Sequence, residues 1–160
     1  MAVRHYDFTE RVRAALTAAR LESHRLGCDY VGTEHILLGL LHESAGVVDL
    51  LEVAGADQAA VQRDAEQRGR RGPANDSAEM DADLPYTSRA KKALEYAMDE
   101  ASRLKAPTVD TKHLLLGLSV EGNGIAAEVL AAHNATLDRL RSAVVASSPP
   151  KPRWFERWRR

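Results

Sequence analysis

Apolar positions recur along this chain at helical spacing, in blocks closed by small or capping residues. Val12, Leu16, Ala19 and Leu26 stand at i, i+4, i+7 and i+14, which predicts a helix over 9–26 with Thr9 offering a side-chain oxygen at its start. Gly27 suits a left-handed stop, and 28–32 reads as a connector. Thr33 is expected to cap a short apolar helix running to Glu43. Ser44-Ala45-Gly46 interrupts the pattern, 47–54 resumes it, Gly55 stops it, and Asp57 caps a fourth helix reaching about residue 68. No window alternates with period two, so no sheet is expected.

The pattern then returns. Thr33-Glu34-His35-Ile36-Leu37-Leu38-Gly39-Leu40 comes back 78 positions later as Thr111-Lys112-His113-Leu114-Leu115-Leu116-Gly117-Leu118. Laying residues 8–46 on 86–124 without gaps keeps seventeen identities, among them Thr9/Thr87, Arg11/Arg89, Glu22/Glu100 and Gly46/Gly124. The second set of helices is expected at 87–104, 111–120, 124–133 and 136–145, with Asn134 in the place of Gly55 and a third helix one residue longer than its counterpart. Duplicated units that each bury part of an apolar face stack into one body. The predicted fold is therefore all-α, eight helices in two four-helix repeats about a pseudo-twofold axis. Gly39 and Gly117 in mid-helix each cost about 1 kcal/mol on propensity, which points to close helix contact there.

The organisation that follows is a double-repeat domain over 1–146, with repeat one at 8–68, a polar linker at 69–85 and repeat two at 86–146. Residues 147–160 form a Pro-rich spacer and a Trp/Arg tail. The net charge of −1 conceals an imbalance: the last ten residues carry five bases and one acid, leaving −5 on 1–150. A mildly acidic body argues against nucleic-acid binding. The single cysteine, Cys28, excludes an internal disulfide, and neither a signal peptide nor a membrane span is recognisable, so a cytoplasmic protein without stable membrane insertion is expected.

Phe8-Thr9-Glu10-Arg11, Gly32 through Leu40, and Tyr86-Thr87-Ser88-Arg89 together resemble the Clp N-terminal domain, most closely its ClpC type, over about residues 6–146. The resemblance implies a domain that receives substrates and adaptors in front of an ATP-driven unfolding ring. No Gly-x-x-x-x-Gly-Lys-Ser/Thr loop occurs, so the chain is expected not to be the unfoldase itself but a non-enzymatic module needing no cofactor. The Pro-rich spacer and Trp/Arg end favour a stand-alone member, with an N-domain cut from a longer protein as the alternative. Its expected partners are Clp protease components, adaptor proteins or tagged substrates, with modulation of Clp-dependent proteolysis as its role. A decoy that sequesters ligands of the ClpC N-domain is the alternative.

In ClpC-type domains the glutamate of Gly-Thr-Glu-His helps hold the guanidinium of phosphorylated arginine, a task suited to a carboxylate's bidentate geometry. By resemblance, Thr9, Thr33 and Glu34 are the candidate ligand site, and Asp110, Thr111 and Lys112 a degenerate second one in which a lysine would repel a guanidinium. The plain reading of Glu34 is a carboxylate favoured by a helix dipole. His24, Cys28, His35, His42 and His113 show no zinc-type spacing, so no metal is expected. A Cys28-dependent enzyme is the reading from another class, and it needs a partner base. Trp154, Phe155 and Trp158 in the tail are candidate docking residues, against disorder or interfacial membrane contact.

Overall fold

The computed structural model describes residues 6–71 and 84–148. They form eight helices: α1 (Glu10–Arg25), α2 (Thr33–Glu43), α3 (Ala45–Ala54), α4 (Gln58–Gly69), α5 (Ser88–Arg103), α6 (Thr111–Glu121), α7 (Ile125–Ala132) and α8 (Leu137–Ser147). The Thr9 hydroxyl accepts from the N–H of Val12 at 3.3 Å, and Thr87 does the same for Ala90 at 3.1 Å. Gly27, Gly55 and Asn134 all take left-handed backbone angles, as their positions at helix stops require.

Two local expectations are corrected. Thr33 and Thr111 are the first helical residues, and the caps are Gly32 and Asp110, each of whose N–H groups donates to the Nδ1 of the histidine three residues on, at 2.9 Å. The third helix is longer in the first copy, ten residues against eight. There the Ser44 hydroxyl caps Val47, so α3 starts at Ala45 and absorbs Gly46. In the second copy Gly122 turns left-handed, and α7 does not begin until Gly124 has served as cap.

The leucines of α2 and α6 lie at the centre, with Ile36, Leu37, Leu38, Leu40, Leu114, Leu115, Leu116 and Leu118 wholly buried. A Cβ on Gly39 would run into the Ala15 carbonyl of α1, and one on Gly117 into the Ala93 carbonyl of α5. Each central helix thus lies backbone-close on the first helix of its own copy. The outer helices cross over: α3 packs on α8, and α4 on α7. The two copies share one continuous core.

No strand forms among the described residues, but two isolated parallel bridges tie the copies together, Phe8 with Val109 and Val31 with Tyr86. They are the same bridge under the 78-residue offset. Val109 donates its N–H to Asp7 at 2.9 Å and accepts from Thr9 at 3.0 Å, while Val31 stands between Pro85 and Thr87 at 2.9 and 3.0 Å. Most of the expected linker (72–83) and the tail candidates Trp154, Phe155 and Trp158 lie outside the described residues. Among the described residues no single helix is long and apolar enough to cross a membrane.

Candidate ligand-binding sites

The two bridges set the start of α2 beside the start of α5, and the start of α6 beside that of α1. In the first copy Glu34, in the first turn of α2, is 4 % exposed. It is roofed by the end of α4, where a Cβ added to Gly69 would stand 3.0 Å from the Glu34 Cγ. Burial pushes the carboxyl pKa up, with its own backbone N–H and the charge of Arg71 working the other way. Among the described residues the nearest basic nitrogen is His35 Nε2 at 4.0 Å. Burial, then the charge of Arg71, lowers the His35 pKa to about 4, so this ring is neutral near pH 7. Glu34 therefore has no cation in ion-pairing range among the described residues. Arg71 sits at the rim, with its Nε donating to the Tyr30 hydroxyl at 3.3 Å.

In the second copy Asp110 accepts from the Thr111 N–H at 2.8 Å and from the Thr9 hydroxyl at 3.1 Å. Thr111 and Ser44 hydroxyls pair at 3.1 Å. Ser44, Asp110 and Thr111 border a cavity of roughly 230 Å³, whose lining also includes Arg11, Asp49, Lys112 and Ser148. Among the described residues neither Arg11 nor Lys112 is within ion-pairing distance of an acid. Thr9 thus joins Asp110, Thr111 and Lys112, and its counterpart Thr87 lies beside the first copy's group through its bond to Val31. The bridges exchange these threonines between copies, which a sequence offset does not reveal. Tyr30, Gly69 and Arg71 around Glu34 carried no sequence signal either, since two of them fall in what reads as linker.

Thr33 has a further role. Its Oγ1 accepts the N–H of Ala126 at 3.3 Å, at the start of α7. Cys28 is buried, with its thiol directed at the Gly69 carbonyl at 3.4 Å. Burial raises its pKa, the reverse of what an activated thiolate needs. Among the described residues no group of three or more His, Cys, Asp or Glu side chains could hold a metal ion.

The profile of the Clp repeat N-terminal domain matches residues 7–97 and again 85–154. The chain belongs to this family. The chain is 42% identical over 139 residues to the "negative regulator of genetic competence ClpC/MecB" of Bacillus subtilis, covering 86% of this chain and 16% of that protein. Chaperone protein ClpB of Oceanobacillus iheyensis is 38% identical over 139 residues, 86% of this chain and 17% of the relative. The chain thus spans about a sixth of the length of these curated relatives. Among solved structures, the N-terminal domain of ClpD from Arabidopsis thaliana superposes with a TM-score of 0.68 at 23% identity, over 91% of this chain and 97% of that one. The Hsp104 N-terminal domain from Candida albicans gives 0.71 at 14% identity, over 87% and 89%. These two show that the Clp N-domain fold is shared.

Proposed function

We propose that this Clp N-domain is a non-catalytic receiving module, which captures tagged substrates or adaptor proteins and so modulates Clp-dependent proteolysis. Its ligand group in this reading is phosphoarginine, held at Glu34. The supporting observation is a carboxylate that is almost dry and has no cation within ion-pairing distance among the described residues. An unpaired buried carboxylate costs several kcal/mol, and a guanidinium arriving with bidentate geometry relieves that cost. Arg71, whose charge acts on Glu34, would take the phosphoryl group in this reading. Entry requires the end of α4 at Gly69 to move aside.

The second copy presents Lys112 in the place of Glu34, so one site per chain is expected. Calorimetry with a phosphoarginine peptide tests the reading, with Glu34→Ala and Glu34→Gln as variants and melting temperature as the control for folding. Both variants should lose binding while staying folded. A folded Glu34→Ala protein that binds as the parent does would end this assignment.

A further inference from the structure

Helices α3 and α8, from opposite copies, leave between them an open groove of about 410 Å³. Val53, Ala54, Ala143 and Ala146 give it an apolar floor, and Asp138 and Arg139 border it. Only three large apolar side chains among the described residues are strongly exposed, and two of them belong to these helices: Val53 at 61 % and Val145 at 64 %. Val145 follows Ser142 by three residues on α8, so it flanks the groove.

We propose that the groove is the docking site of this chain's own C-terminal segment, residues 153–160, which seats Trp154, Phe155 and Trp158 against Val53 and Val145. Three observations select this occupant. The first is attachment. Helix α8 is one wall of the groove, and the chain runs on from its last residues into Pro149-Pro150-Lys151-Pro152 and the aromatic segment. The groove extends from Ala146 back to Asp138, about 12 Å at the helical rise, and twelve extended residues reach up to ~40 Å, so the segment can lie along it.

The second is chemistry. The segment concentrates three aromatics in five positions, each able to bury about 150–250 Å². The third is charge. Residues 151–160 carry five bases and one acid, whereas Asp138 borders the groove and the exposed Glu52 directly precedes Val53 on α3. Arg139, also at the groove, donates to the Ala54 carbonyl at 3.4 Å, which holds its guanidinium against the end of α3. A short tether supplies an effective concentration of the order of millimolar, at which even a weak contact is occupied.

The chain contains two tryptophans, Trp154 and Trp158, so tryptophan emission, excited selectively over the four tyrosines, reports on this segment alone. The experiment compares the emission and acrylamide quenching of the full chain with those of a synthetic peptide of residues 149–160. Docking in cis predicts a blue-shifted, less quenchable emission in the full chain that does not change with protein concentration. The double variant Val53→Asp/Val145→Asp, changed only at exposed positions, should return both readings to the peptide's values. Emission matching the free peptide overturns the proposal. So does a shift that survives the double variant, which places the segment elsewhere, or one that grows with concentration, which makes a second copy the donor.

Discussion

The hydroxyl of Thr33 in the first copy accepts the backbone N–H of Ala126 in the second, at 3.3 Å and 93 residues away along the chain. Helix α7 needs that oxygen because its own cap, Gly124, has no side chain to offer. The other copy keeps a variant of the arrangement, with Ser44 capping α3 and touching Thr111 at 3.1 Å. Removing a capping oxygen costs about 0.5–2 kcal/mol. Thr33→Val should therefore lower the unfolding free energy by about 1 kcal/mol in denaturant titrations, and Thr33→Ser should restore most of it. An unchanged midpoint for Thr33→Val would mean that the contact contributes nothing to stability.

Gly39 and Gly117 oppose helix propensity to packing. Alanine in mid-helix is favoured over glycine by about 1 kcal/mol, yet here its methyl meets the backbone carbonyls of Ala15 and Ala93, which cannot swing away. Overpacking against backbone costs roughly 1–3 kcal/mol or more, so each Gly→Ala change should be net destabilising. Leu37→Ala and Leu115→Ala, in the same two helices, should each cost about 2–5 kcal/mol as cavities form. Thermal melts of the four variants check both statements.

Acid should weaken the fold through its buried histidines. Burial lowers the His35 pKa from 6.5 to about 4, so between these values the unfolded chain takes the proton and the folded one does not. Stability is thus fully present above about pH 6.5 and is lost as pH falls towards 4. His113, also lowered by burial and by Lys112, acts in the same sense. Glu34, with its pKa raised by burial, acts in the opposite sense in the acid range. His35→Gln keeps an acceptor for the Gly32 N–H and removes the titration. Its loss of unfolding free energy from pH 7 to pH 5 should be smaller than the parent's by about 2 kcal/mol.

Much of this architecture was legible in the residue pattern, and the reasons are local. Leucine runs around Gly39 and Gly117 identified the buried helices because burial on all sides leaves no polar face to conceal them. Stops at Gly27, Gly55 and Asn134 were readable because few residues tolerate left-handed angles. Contacts between copies were not legible: periodicity reports which face of a helix is apolar, never which neighbour covers it. Thr9 was therefore grouped with Glu34, whereas the bridge at Val109 carries it to Asp110. Thr33 looked like a cap for its own helix because threonine commonly is one, while Gly32 and a histidine side chain do that work. The burial of Glu34 beneath Gly69 has no sequence signal because the end of α4 reads as linker.

The two copies differ at Glu34 and Lys112, and binding stoichiometry tests the consequence of that difference most directly. Titration calorimetry with a phosphoarginine peptide should give one site on the parent chain and none on Glu34→Ala. Lys112→Glu, which restores a carboxylate at the half-buried equivalent position beside the Asp110 cavity, should move the stoichiometry from one towards two. Two equivalent sites on the parent chain, or a Glu34→Ala protein that still binds one peptide, would contradict it.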